Sequence, residues 1–123
     1  MREIKFRGKK KSDGNWIIGN YNLIESCTYI FNHDANGDNM NSPDDYEVIP
    51  ETVGQFTGIL DKDGNKIYEG DLFQVGYEQE VFECRFVDGC FLAYLNGNQF
   101  GIVSEIDNIY LKINGNIHEN SQD

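Results

Sequence analysis

Five side chains in this sequence are of the types that carry nucleophilic or acid–base chemistry near neutral pH: Cys27, Cys84, Cys90, His33 and His118. A thiol nucleophile needs a base within hydrogen-bond reach and an electropositive setting that favours the thiolate. Neither histidine lies in a local signature with a cysteine or a serine, and the 123-residue chain carries a formal net charge of −11. No catalytic residue is therefore predicted, and an enzyme is not expected. Cys84, in the run Phe82-Glu83-Cys84-Arg85-Phe86, reads as a small buried hydrophobe. Zinc needs closely spaced ligands, but the cysteines stand 57 and 6 residues apart, without CxxC or HxxxH. Neither GxxxxGK[ST] nor GxGxxG occurs, so no nucleotide cradle of those kinds is predicted. No cofactor and no metal are expected.

Carboxylates need closer reading. Glu69 and Asp71 flank Gly70, and on a continuous strand both would share a face, as acid–base or metal work requires. In a glycine-rich turn, acidic residues are ordinary, and the structural reading is preferred. Two segments imitate the start of a calcium-binding loop. Residues 61–72, DKDGNKIYEGDL, place Asp61, Asp63 and Asn65 at positions one, three and five, but put Lys66 at six and Leu72 at twelve. Residues 34–45 offer Asp34, Asn36 and Asp38, then Asn39 at six and Asp45 at twelve. Neither is flanked by a helical pattern, so a polar turn and a solvated acidic loop are expected.

The elements that would have to position these groups are strands. Period-two alternation recurs, whereas a 3.6-residue period is hard to find. Ile4 and Phe6 alternate with Glu3, Lys5 and Arg7, and WIIGNYNLI (16–24) completes a hairpin across GKKKSDGN. CTYIFNH (27–33) reads as a third strand, with a short helix as the alternative. QFTGIL (55–60), the Asp63-Gly64 turn and KIYEGDLFQV read as strand–turn–strand. The clearest hairpin runs over residues 80–95 with Asp88-Gly89 as its turn. Its register sets Val87 against Cys90, Phe86 against Phe91, Cys84 against Ala93 and Phe82 against Leu95. One face should then bury Phe82, Cys84, Phe86, Phe91, Ala93 and Leu95, with Glu83, Arg85, Leu92 and Tyr94 on a wetter face. Cys84 should be buried and Cys90 should face the other way, so the two should not pair. NGN (96–98) turns the chain into QFGIV, and SEIDNIYLKINGNIHE reads as a short helix or turn before a final strand.

Composition sets the frame for these strands. Sixteen aromatic residues and 39% hydrophobic residues exceed what a disordered chain carries. No apolar run reaches the roughly 20 residues that span a bilayer, so no membrane association is expected. The opening MREIKFRGKKK leads into polar sequence rather than an apolar signal region. Three scattered cysteines suggest reduced thiols and a cytoplasmic setting. Residues 1–11 hold six of the ten basic residues and one acid, a net +5 on an otherwise strongly acidic chain. Such an arm could touch phosphates, but a solvated hairpin loop is the simpler reading.

Three stretches carry a family resemblance: MREIKFRG at the start, YEVIPETVGQFTGILDKDGNKIYEGDL at 46–72 and INGNIHEN at 113–120. Together they resemble the YopX family of small proteins from temperate bacteriophages and prophages of Gram-positive bacteria. The loop at 34–45 and the stretch from Gln74 to Ile109 depart from that pattern, as do His118 and Ser121 near the end. The resemblance implies a β-rich fold and self-association, and it supplies no catalytic residue to place on this chain. Read physically, Gly54, Gly58, Gly64 and Gly70 should be turn or bulge positions, and Phe56, Ile59, Ile67 and Tyr68 packing residues.

The expected architecture is mainly β, with α+β as the alternative: a small barrel or sandwich of short antiparallel strands. An SH3-like barrel would suit the second half. A single YopX-like domain over 1–123 is expected, comprising an N-terminal β segment (1–33), an acidic loop (34–45), a β-rich body (46–118) and a frayed tail (119–123). The expected role is that of a phage or prophage accessory protein acting by binding, as a homo-oligomer with a host or phage protein as partner. The alternative is nucleic-acid-linked: an acidic body imitating a phosphate backbone, or direct contact through the basic 2–11 arm.

Overall fold

The computed structural model describes residues 4–32, 43–76 and 79–118. Ten strands carry the fold: β1 (Phe6–Lys9), β2 (Trp16–Ile24), β3 (Cys27–Phe31), β4 (Gly54–Leu60), β5 (Lys66–Tyr68), β6 (Asp71–Val75), β7 (Phe82–Val87), β8 (Cys90–Leu95), β9 (Asn98–Ile102) and β10 (Leu111–Asn116). Among the described residues the helical content is limited to short 3₁₀ turns at Pro43–Tyr46, Pro50–Thr52, Val103–Glu105 and Asn108–Tyr110. All strand pairs are antiparallel, in the orders β3-β2-β1-β4-β5 and β10-β6-β7-β8-β9. The β-rich expectation holds. The barrel does not, because the second sheet ends at β9 and β10 without pairing them.

The chain divides into two compact units, Met1–Gln55 and Phe56–Asp123. In the first, β1 and β2 form the predicted hairpin, with Phe6 opposite Gly19 and Lys9 opposite Trp16. Ile4 precedes the strand and is exposed rather than half-buried. β3 is the strand alternative for 27–33, and it pairs with β2 from Asn20–Phe31 to Ile24–Cys27. A small core gathers Ile30, Val48 and Tyr46. Gly8 admits it, since a Cβ there would sit 3.2 Å from both Ile30 Cδ1 and Val48 Cβ. Thr52 pins the segment after the core: its hydroxyl accepts the Lys9 N–H at 2.8 Å and donates to the Ile49 carbonyl at 2.6 Å.

In the second unit the core is Ile67, Phe73, Phe82, Cys84, Phe91, Ala93, Val103 and Leu111. The β7–β8 register is the one the Asp88-Gly89 turn dictates: Val87 faces Cys90, Phe86 faces Phe91 and Cys84 faces Ala93. Asp88 and Gly89 both take positive φ, 51° and 83°, which matches the right-handed twist of the flanking strands. Two assignments on this hairpin need correction. Phe86 is 41% exposed although it lies on the apolar face, and Leu92 on the other face is buried. Phe86 is one residue from the end of its strand, with its ring 4.7 Å from that of buried Phe91, and Leu92 pairs with Ile102 of β9.

KIYEGDLFQV is two strands rather than one. Gly70 takes φ +93°, which ends β5 and starts β6. Among the family glycines, Gly58 (φ +89°) sits in the irregularity between Phe56 and Leu60, and Gly64 (φ +87°) in the loop after Asp61. Gly54 instead opens β4 opposite Arg7, and it is not among the positive-φ residues. The packing roles of Phe56, Ile67 and Tyr68 hold, and Ile59 packs partly buried against the core.

Candidate functional site

The chemistry-bearing side chains are dispersed. Cys84 is buried, Cys90 is exposed at the hairpin turn and Cys27 is half-buried at the start of β3. The Glu47 carboxyl is held below its usual range chiefly by the hydrogen bond from the Lys11 ammonium at 2.9 Å. His33 and the calcium-like positions Asp34, Asn36, Asp38 and Asn39 lie outside the described residues. His118 donates its main-chain N–H to Asn116 Oδ1 at 2.8 Å. Its ring lies over Gly70, where a Cβ would come within 3.3 Å of Nε2.

Glu69 and Asp71 do not form the shared-face pair that a continuous strand would create, because the Gly70 turn interrupts the strand between them. Asp71 is buried and its Oδ2 accepts the Tyr68 N–H at 2.7 Å, closing the turn. Asp61 plays a similar part on a larger scale. Its Oδ1 accepts the N–H groups of Asp63 and Asn65, both at 2.9 Å, and its Oδ2 accepts the Ile113 N–H of β10 at 3.2 Å. The side chain is only 2% exposed. Burial works to raise its pKa, but the hydrogen bonds from Asn65, Ile113 and Asp63 outweigh it and hold the carboxyl below its ordinary value. These oxygens face main-chain donors, so the DKDGN segment is a loop anchored to a strand 52 residues away.

Two concave features lie among the described residues of the second unit. Lys62, Gly76, Ile109, Tyr110 and Lys112 line a cleft of about 190 Å³, below the range usual for small-molecule sites. The Lys112 ammonium there is bonded to Asp63 at 2.6 Å. An open groove of about 460 Å³ is lined by residues including Gly58, Leu60, Ser104 and Asp107. Its one carboxylate, Asp107, accepts the Ile109 N–H at 3.3 Å. Neither lining includes a histidine or a cysteine.

The basic arm is engaged with its own unit. Lys10 pairs with Asp13 at 3.3 Å and Lys11 with Glu47 at 2.9 Å. The Arg7 guanidinium and the Lys9 ammonium lie 4.7 and 5.5 Å from the centroid of the Trp16 ring. The described residues also offer some apolar side chains of the strands to solvent. On the β2–β3 hairpin, Tyr21 and Ile24 are exposed and Leu23 is 63% exposed. The tip turns through Glu25 (φ 50°) and Ser26 (φ 70°), both in the left-handed region that costs non-glycine residues energy. In the second unit Phe100 on β9 is 59% exposed, with its ring 4.6 Å from that of Phe82. Sequence reading missed these patches. Alternation identifies a strand's two faces but not which face lacks a neighbour.

Comparison with known proteins matches residues 5–122 to the family described as YopX protein. No curated protein matches the chain. Among solved structures, the crystal structure of protein EF1440 from Enterococcus faecalis is similar with a TM-score of 0.54 at 20% identity. The match covers 96% of this chain and 95% of that one. At that identity the likeness concerns the fold alone.

Proposed function

This chain belongs to the YopX family, and we propose that it acts by binding, as a self-associating interaction or regulatory module among phage or prophage accessory proteins of the cytoplasm. The observation that carries this reading is the β2–β3 hairpin, which leaves Tyr21 and Leu23, neighbours on one face of β2, in solvent, with Ile24 exposed on the other face at the strand's end. Single exposed apolar residues are normal on soluble proteins, whereas neighbouring ones support an interaction surface. The nucleic-acid-linked alternative draws less support, because Lys10 and Lys11 are paired with carboxylates and Arg7 and Lys9 lie over Trp16.

Light scattering across micromolar to submillimolar protein tests the reading. The expected result is a mass at a multiple of 14.1 kDa that falls when Leu23→Lys and Ile24→Lys are combined. A 14.1 kDa species at every concentration would refute self-association. Affinity capture with and without nuclease, at two salt concentrations, separates the alternative. Contacts of the phosphate-backbone type weaken steeply with salt, and apolar ones do not.

A further inference from the structure

The second unit holds four cationic side chains, Lys62, Lys66, Arg85 and Lys112, against twelve carboxylic ones. At that ratio each cation is expected beside a carboxylate. Arg85 conforms, paired with Glu83 at 3.1 Å, and Lys66 lies 5.4 Å from the centroid of the Phe56 ring. The other two, Lys62 and Lys112, line one cleft with Gly76, Ile109 and Tyr110, and its described lining includes no carboxylate. Lys62 makes no ion pair among the described residues. Lys112 is bonded to Asp63 and lies in the field of Asp61, whose oxygens accept main-chain N–H groups. One bonded carboxylate thus serves two ammonium groups at this cleft.

Main-chain bonds fix the walls. The Lys62 N–H donates to the Leu111 carbonyl at 2.8 Å, and the Gly76 N–H donates to the Tyr110 carbonyl at 2.6 Å. The DKDGN loop and the end of β6 are both held in this way against the start of β10. The Tyr110 hydroxyl has no hydrogen-bond partner among the described residues, and its ring is 50% exposed beside the exposed Ile109. Two ammonium groups and a phenol hydroxyl therefore offer donors to an anion, with an apolar rim next to them. A volume of about 190 Å³ does not enclose a drug-sized molecule, but it admits a phosphate group whose remaining atoms lie outside. A phosphomonoester carries a charge of about −1.5 to −2 at neutral pH and three strong acceptor oxygens. It matches the donors in sign and number, whereas a monocarboxylate brings only the single charge that Asp63 already supplies.

We propose that this cleft binds the phosphate group of a small organic phosphomonoester, held by Lys62, Lys112 and the Tyr110 hydroxyl, with an apolar part of the ligand against the Tyr110 ring and Ile109. The ligand exchanges water and the Asp63 carboxylate for its own oxygens at Lys112. The site belongs wholly to the second unit and is independent of self-association through the β2–β3 hairpin.

The test titrates inorganic phosphate, and separately phenyl phosphate, into the isotope-labelled full chain at constant ionic strength and follows amide chemical shifts. Both probes should give saturable shifts centred on Lys62, Gly76, Tyr110 and Lys112. Phenyl phosphate should bind severalfold more tightly, because its ring packs on Tyr110. Lys62→Gln should weaken binding roughly tenfold. Its side chain is exposed and the variant keeps the main-chain bond to Leu111, so the fold is retained. Asp63→Asn should tighten binding, since it releases Lys112. Lys66→Gln removes the same charge outside the cleft lining and should change affinity by about twofold at most. Shifts that spread over the surface without saturating, or equal weakening by Lys62→Gln and Lys66→Gln, would reduce the site to diffuse attraction and overturn it. Phenyl phosphate binding no more tightly than inorganic phosphate overturns the organic ligand.

Discussion

Replacing Asp61 should be among the most costly single changes in the second unit, and the structure gives its size. Asp61→Ala removes the acceptor for three main-chain N–H groups, those of Asp63, Asn65 and Ile113. At about 1 kcal/mol net for each lost bond, the expected destabilisation is about 3 kcal/mol. That is a large fraction of the roughly 5–15 kcal/mol by which a domain is stable. Asp61→Asn keeps an oxygen for Asp63 and Asn65 but turns an amide N–H toward the Ile113 donor. Its expected cost is intermediate, about 1–2 kcal/mol. The variants should also differ in pH dependence. The Asp61 carboxyl is held below its ordinary value of 3.8 in the fold, so the unfolded chain binds the proton more readily. Its stabilisation is therefore complete above that ordinary value and is lost as pH falls through the lower folded pKa. Urea unfolding followed by far-UV circular dichroism, at neutral pH and through the acid limb, measures both effects. Equal, small losses in the two variants, with the acid limb of wild type unchanged in Asp61→Asn, would refute the anchoring role.

Other substitutions probe the remaining structure. Gly19→Ala drives a Cβ into the Phe31 carbonyl and should cost about 2–3 kcal/mol. Gly101→Ala meets nothing within 4 Å and should lie within about 0.5 kcal/mol of wild type, both read from urea midpoints. Phe82→Ala, which abandons the Phe73 and Phe100 rings, should cost about 3–5 kcal/mol. The exposed Phe86 should cost about 1 kcal/mol or less on the same change, and equal losses at the two positions would contradict the burial difference. A thiol reagent should modify Cys90 in the folded protein and Cys84 only after denaturant is added. Labelling of both at one rate would show that the hairpin is not packed as described.

Much of the fold is legible in the sequence because strands obey local rules. The Asp88-Gly89 turn, flanked by alternating apolar residues, sets the β7–β8 register, since a slip by one residue would turn Cys84 and Ala93 out to solvent. The separate exposures of Cys84 and Cys90, buried and exposed, are equally legible from the register of that hairpin. Tertiary structure decided what depends on distant partners. Asp61 looks like a calcium ligand or an ordinary turn residue until β10 arrives from 52 residues away and places the Ile113 N–H against it. Glu69 and Asp71 look like a pair until Gly70 bends the chain between them. The exposure of Leu23 and Phe100 is likewise invisible locally. Whether an apolar side chain is core or contact surface depends on which element packs over it, and that is settled only when the whole chain has folded.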